Sequence, residues 1–178
     1  MRAGMAYLSE DRKTEGLITA MTIRENVTLA SFFGLFRFGM ISQTKESEAA
    51  RKHVEQLRIV ARSVDQTVGI LSGGNQQRTV FAKWRAAEPQ LLLLDEPTRG
   101  IDVGAKSQIY KVIDEIAAQG LGVLMVSSEL PELIGMSDRI YAMRAGTLVA
   151  ELTEREAMTQ AGILAHILKG ASQPLYKP

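Results

Sequence analysis

LLLLDEPT, residues 91–98, sets the reading of this 178-residue chain. Four consecutive leucines form a strand-sized apolar run, and it delivers two adjacent carboxylates, Asp95 and Glu96, at its C-terminal end. Open α/β sheets place their ligands at that edge. Phosphoryl transfer needs such a pair: one carboxylate holds Mg²⁺, directly or through water, and the other orients the attacking water. Neighbouring residues on an extended strand point to opposite faces, so a turn beginning at Pro97 is expected to bring both to one site. Alone, the pair is equally compatible with a buried strand that ends in a solvated acidic turn.

Downstream the pattern alternates. A strand at 90–95, a helix at about 104–119, a strand at 122–127, a short helix at 130–135 and a strand at 139–143 imply βαβ units and a mostly parallel sheet. Gly146 then turns the chain into a brief strand at 148–151, and Thr153 with Glu156 is expected to cap a last helix reaching about Lys169, before a loose tail at 171–178. Upstream, residues 5–9 form a short buried strand running into the charged loop at 10–16. Thr22 and Glu25 make an S/T-x-x-E capping box, and a helix fits 43–60 with Ala50, Val54 and Leu57 on one face. The reading is an α/β core, residues 1–18 and 71–170, interrupted by a helical subdomain at 19–70.

Composition narrows the class. Hydrophobic residues make up 46% and charged residues 23%, as in soluble globular chains. The formal net charge is +1, with no basic run to mark a nucleic-acid footprint. There are no cysteines, which excludes disulfides and thiolate metal sites. The two histidines, His53 and His166, stand far apart and read as ordinary helix-surface residues. No apolar stretch reaches the length of a membrane span, and the first residues lack the apolar core of a signal peptide.

A second motif precedes the leucine run. LSGGNQQRTVFAKW, residues 71–84, sets two glycines behind Ser72 at the expected start of a helix. Bare backbone at a helix N-terminus, with its partial positive charge, suits an approaching phosphate. A purely structural reading accounts for glycines before a helix but not for Ser72, Gln76 and Gln77 beside them. The chain carries no G-x-x-x-x-G-K-[ST] phosphate loop. Its nearest match, residues 100–107, has its second glycine one residue early and an alanine before Lys106, a spacing that cannot wrap a phosphate.

Taken together, LSGGNQQRTVFAKW and LLLLDEPTRGID (residues 91–102) resemble the signature motif, Walker B strand and D-loop of ATP-binding cassette ATPases, in that order and at the family's separation. Asn75, the segment SEDRKTEGL at 9–17 and DEPTRGIDVGAK at 95–106 resemble more narrowly the second nucleotide-binding domain of duplicated ATPases that drive bacterial importers of ribose, galactose and xylose. The resemblance runs from about Gly4 to Lys169. It implies a P-loop NTPase-like core in which the Walker A strand and loop are missing, so that the chain looks truncated at its N-terminus.

In that family two domains sandwich ATP head to tail. The resemblance therefore implies that Ser72, Gly73 and Gly74, with Gln76 and the D-loop's Asp102, contact ATP seated on a partner's phosphate loop. It assigns Asp95 to Mg²⁺ and Glu96 to the attacking water. Glu10 stands where many members have a glutamine that senses Mg²⁺ and the permease, and Ser128 stands where the family usually has a histidine touching the γ-phosphate. A serine cannot carry a proton as imidazole does, so the domain's own site is expected to be degenerate. The implied partners are a first nucleotide-binding domain, a transmembrane permease and, indirectly, a periplasmic sugar-binding protein, with the chain held peripherally at the cytoplasmic face of the inner membrane. The competing expectation is a non-catalytic regulatory module that pairs with cassette ATPases. The apolar run at 32–36 suits either a permease contact or internal packing.

Overall fold

The computed structural model describes residues 4–31, 36–37 and 40–169, so the expected tail at 171–178 and most of the apolar run at 32–36 lie outside the described residues. The chain divides into two compact units, Met1–Val126 and Ser127–Pro178, a boundary the sequence pattern does not mark.

The first unit is built on a three-stranded parallel sheet. Strand β1 (Met5–Leu8) opens it, and β2 (Phe36–Arg37) and β3 (Met40–Ile41) form a separate small antiparallel pair. Strand β4 (Leu91–Asp95) lies at the centre of the parallel sheet, between β1 and β5 (Gly122–Val126), with Tyr7 level with Leu93 and Leu124. One face carries Ala6, Leu8, Leu92 and Leu94, all buried, beneath helices α3 (Gly73–Arg85) and α4 (Val103–Ala117). The opposite face is open to solvent, with Met5 and Tyr7 each 48% exposed, Leu124 51% and Val126 58%. Parallel sheets ordinarily bury both faces.

The helical segment contributes α1 (Ile23–Thr28) and α2 (Gln43–Gln56). The expected capping box forms: Glu25 N–H donates to the Thr22 hydroxyl (3.2 Å) and Thr22 N–H donates to the Glu25 carboxylate (2.8 Å). Helix α2 ends before the expected residue 60, because Arg58 takes a left-handed conformation (φ 51°) and turns the chain away. Ala50 and Leu57 are buried as the periodicity requires, and Val54 is half-buried. Two polar clusters missed by pattern reading hold α1 in place. Asn26, fully buried, accepts from Ile18 N–H and donates to the Ile18 and Thr22 carbonyls. Arg24 pairs with Glu46 (2.5 Å) and Asp65 (2.9 Å), while the Thr28 hydroxyl donates to the second Glu46 oxygen (2.9 Å). Every oxygen of the buried carboxylate is thus satisfied.

The second unit is a hairpin with two helices. Strands β6 (Ile140–Arg144) and β7 (Thr147–Leu152) pair antiparallel through a two-residue loop whose residues, Ala145 (φ 47°) and Gly146 (φ 77°), both take positive φ. Such a loop matches the right-handed twist of the strands. Ile140, Ala142, Ala150 and Leu152 form a core with Met158 and Ile163, against which Leu130 and Leu133 of α5 (Leu130–Met136) pack. The last helix, α6, spans Gln160–Lys169 and is not capped by Thr153: β7 runs on to Leu152, and Thr159 takes the capping place, its hydroxyl accepting from Gly162 N–H at 3.1 Å. No helix of the described residues is long and apolar enough to cross a membrane.

Candidate functional site

The carboxylate pair stands at the C-terminal end of the central strand. The turn after the strand begins one residue earlier than expected, at Glu96 itself. Glu96 has φ 47°, a left-handed backbone that a non-glycine residue adopts at some cost, and it is held by its N–H donating to the Val126 carbonyl (2.9 Å) and its carbonyl accepting from Arg99 N–H (3.0 Å). Strain of this kind persists only where the surroundings over-determine it, and it concentrates at functional sites. Asp95 receives a hydrogen bond from the Tyr7 hydroxyl (2.8 Å) across the open sheet face, and that bond raises the phenol's pKa above 10.0. The second Asp95 oxygen is left for another ligand.

Ser72 is the N-cap of α3 and is exposed, yet it does not cap. Its hydroxyl oxygen accepts from Asn75 Nδ2 (3.0 Å), while Asn75 Oδ1 accepts from Val60 N–H (2.9 Å). Asn75 therefore ties the serine to the end of the helical segment and fixes its direction. The first intrahelical bond is from Gln76 N–H to the Ser72 carbonyl (2.9 Å), so the preceding N–H groups have no side-chain cap. By contrast α1, α2 and α4 carry side-chain caps from Thr22, Ser42 and Asp102.

The two glycines have different neighbours. A Cβ on Gly74 would meet the Cβ of Ala105 on α4 at 3.1 Å, and one on Gly73 would come within 2.9 Å of Arg12 Nη2. Gly74 lets two helices approach; Gly73 lies under a guanidinium.

Arg12 is the residue that pattern reading missed. Its Nη1 donates to the Arg99 carbonyl (3.0 Å) and its Nη2, at 3.4 Å, to that of Gly100, whose positive φ (66°) shapes the turn into α4. Burial lowers its pKa from the ordinary guanidinium value. Glu10 forms an ion pair with Arg99, and together Glu10, Arg12, Lys13 and Arg99 line a cleft of about 270 Å³. The sequence signal was present in the charged run at 10–13, but nothing in its spacing says that it folds over the start of α3.

Two expected nucleotide ligands, Gln76 and Asp102, have hydrogen-bond partners within the chain, as does the neighbouring Gln77. Gln76 is 4% exposed, and its amide donates to the Val68 and Gly69 carbonyls, so it anchors the helix from below. Gln77 likewise donates to the Pro97 carbonyl (2.8 Å), tying α3 to the turn after β4. Both glutamines beside Ser72 thus have structural partners. Asp102 accepts from Ala105 N–H (2.9 Å) as the cap of α4. Ser128 falls in the second unit, two residues after β5, and is exposed.

No three His, Asp or Glu side chains cluster as a metal cage among the described residues. Asp95, with one oxygen open, nevertheless fits Mg²⁺ bound mainly through phosphate oxygens, since such sites need only one or two carboxylates.

Comparison with known proteins bears on this arrangement. The ribose import ATP-binding protein RbsA of Rhodococcus jostii (strain RHA1) is 47% identical over 157 residues, covering 88% of this chain and 31% of that protein. The L-arabinose transport ATP-binding protein AraG of Geobacillus stearothermophilus is 46% identical over 170 residues, covering 96% and 33%. The chain spans about a third of the length of these relatives. Among solved structures, the ATP-binding cassette MJ1267 in its ADP conformation superimposes with a TM-score of 0.75 at 19% identity, over 95% of this chain and 68% of that one. The dimeric post-hydrolysis cassette MJ0796 gives 0.69 at 23% identity, over 84% and 62%, and both show the fold. Residues 1–99 match the ABC transporter family, and with the signature helix, carboxylate strand and turn placed as described, the chain belongs to that family and has the ABC ATPase fold.

Proposed function

We propose that this chain is the C-terminal part of the second nucleotide-binding domain in the ATP-binding subunit of a carbohydrate importer, and that it donates its signature helix to ATP held by another domain. The observation that carries the reading is the uncapped start of α3: Ser72 is exposed and oriented by Asn75, and the backbone N–H groups behind it have no side-chain cap. A helix N-terminus in that state suits a phosphate supplied from outside. The sequence offers no phosphate loop to supply it from within.

Sugar-import relatives support the substrate class, and the exposed Met5, Tyr7, Leu124 and Val126 face supports a further layer of protein over the sheet. In this reading Ser72, Gly73 and Gly74 contact the γ-phosphate, Asp95 holds the metal and Glu96 orients the attacking water. Bound Mg²⁺ would neutralise charge on the phosphates. Gln76 and Asp102 act indirectly, by fixing the ends of α3 and α4. Glu10, paired with Arg99, and Ser128 in place of a histidine make the chain's own site degenerate. The partners are a domain with an intact phosphate loop and a permease, at the cytoplasmic face of the inner membrane.

The test is a calorimetric titration of the folded chain with Mg-ATP, alone and mixed with a nucleotide-binding domain that carries an intact phosphate loop. The expected result is no binding alone and tighter binding by the mixture than by the partner alone, lost on Ser72→Ala. Saturable binding by the chain alone, or a mixture indistinguishable from the partner, would overturn the proposal.

A further inference from the structure

Gly73 opens α3, and the space a side chain would take there is already occupied. In an α-helix every Cα–Cβ bond tilts toward the N-terminus, so a Cβ on Gly73 would point outward and ahead of the first turn. Arg12 Nη2 lies 2.9 Å from that position and Arg12 Cζ 3.8 Å. A permanently charged guanidinium therefore stands beside the mouth of the helix, where an anion would meet the uncapped N–H groups and the exposed Ser72 hydroxyl.

This guanidinium has donors to spare. It carries five N–H groups, of which one on Nη1 goes to the Arg99 carbonyl and one on Nη2 to that of Gly100. The Nε is buried without a partner and out of a ligand's reach, but one N–H on each Nη is left uncommitted among the described residues. Those groups are accessible: both carbonyl bonds lie at the exposed surface, and Arg12 lines the open cleft with Lys13 and Arg99. Carbonyls accept without neutralising the charge. Glu10 is taken by Arg99, and Asp11, whose charge acts on Arg12, gives its Oδ1 to the Lys13 and Thr14 N–H groups.

We infer that Arg12 is a phosphate ligand acting with the signature: the uncommitted N–H on its Nη2 donates to the γ-phosphate that Ser72 and the start of α3 receive from a partner domain. The inference rests on the proposed donation of α3 and adds to it a residue from a loop far upstream in the chain. The Arg99 and Gly100 carbonyls aim the guanidinium, and the missing side chain of Gly73 makes room for it. A charge-assisted bond of this kind strengthens only when the terminal phosphate is present, so Arg12 favours ATP over ADP.

The test measures Mg-ATP and Mg-ADP binding by calorimetry in mixtures of the full chain with a nucleotide-binding domain that carries an intact phosphate loop. For the parent chain, tighter ATP binding than by the partner alone, lost on Ser72→Ala, establishes the donation; without it the proposed function falls, and this inference with it. Arg12→Met should then weaken ATP binding by the mixture about 10-fold, toward that of the partner alone, and leave ADP binding unchanged. Arg12→Lys, which keeps the charge, should recover ATP binding to within about 3-fold of the parent. Raising the salt from about 0.05 M to about 0.5 M should weaken ATP binding more for the parent and Arg12→Lys mixtures than for Arg12→Met, because salt screens a charge. Urea unfolding of each variant checks that it is folded. Unchanged ATP binding by the Arg12→Met mixture, with Ser72→Ala still abolishing the gain, would overturn this inference and leave the donation standing. So would Arg12→Lys no better than Arg12→Met, or one salt dependence for all three, since Arg12 would then act only through the carbonyls it holds.

Discussion

Gly74 offers a way to separate two uses of one glycine. Phosphate access and helix packing both call for a small residue, but they make opposite predictions for the stability of Gly74→Ala. If the glycine served only an incoming phosphate, alanine would stabilise the unliganded chain by about 0.5–1 kcal/mol, the ordinary helix-propensity difference. The structure instead puts the new Cβ 3.1 Å from the Cβ of Ala105, tighter than ordinary contact, and neither atom can rotate away. Helices α3 and α4 would have to separate by a few tenths of an ångström, and overpacking of this kind costs about 1–3 kcal/mol. Gly74→Ala is therefore expected to destabilise the first unit by about 1 kcal/mol net. Ala105→Gly alone should also cost about 1 kcal/mol, through propensity. The double variant removes the clash and exchanges one propensity for the other, so it should return close to the parent, giving a coupling of about 2 kcal/mol. Urea unfolding of the four proteins, followed by circular dichroism, measures all the quantities needed. A stabilised Gly74→Ala, or additive single effects in the double variant, would refute the packing argument and leave phosphate access as the reason for the glycine.

Other perturbations follow from the same structure. Glu46→Ala strips Arg24 of its buried partner and the Thr28 hydroxyl of its acceptor, so it should cost about 3 kcal/mol in urea unfolding; Asp65→Ala, on the exposed side of the same guanidinium, should cost less than about 1. Thr22→Ala should lose about 1 kcal/mol through the capping box. The Glu25 carboxyl is held below 4.5 chiefly by the Thr22 backbone N–H and then by its hydroxyl, so its contribution is present above that value and lost as pH falls through the folded one. Acid unfolding of Thr22→Ala, which keeps the backbone N–H and loses only the hydroxyl, should accordingly show a slightly shallower loss of stability in that window. Tyr7 should titrate above 10.0 in ultraviolet difference spectra and move back toward 10.0 in Asp95→Asn, since the bond to Asp95 is the main cause of the shift; that bond stabilises below 10.0 and is lost as pH rises through the folded value.

What could be read from the sequence was what local chemistry decides. The strand at 91–95, the capping box at Thr22 and the reversal at Gly146 each rest on residues within a few positions of one another, and each formed as read. The last helix failed for an instructive reason. Thr153 and Glu156 carry the same spacing as Thr22 and Glu25, yet the chain makes turns at 155–157 and the helix begins only at Gln160, where Thr159 supplies the cap. The site divides the same way. That LSGG opens a helix is a local fact, whereas the fates of Gln76 and Gln77 depend on which carbonyls the fold brings beneath them. A polar side chain beside a glycine pair reads as exposed until the neighbouring turn is placed.

Arg12 extends that argument to the site as a whole. Its guanidinium lies over Gly73 and donates to the carbonyls of Arg99 and Gly100, while Glu10, two residues before it, pairs with the Arg99 side chain. Two links from one charged loop thus grip the turn after the carboxylate strand, and one of them also lies against the start of the signature helix. Gln77 closes the circuit from the helix back to Pro97 in the same turn. The Arg12 Nε is buried without a partner, so the side chain is held there at some cost in solvation, which the two carbonyls and the charge of Asp11 offset. Arg12 and Glu10 thus tie the loop to the turn, and Gln77 ties the turn to the helix. A contact that moved the loop at 10–16 would reach Glu96 through two hydrogen bonds, Arg12 to the Arg99 carbonyl and Arg99 N–H to the Glu96 carbonyl.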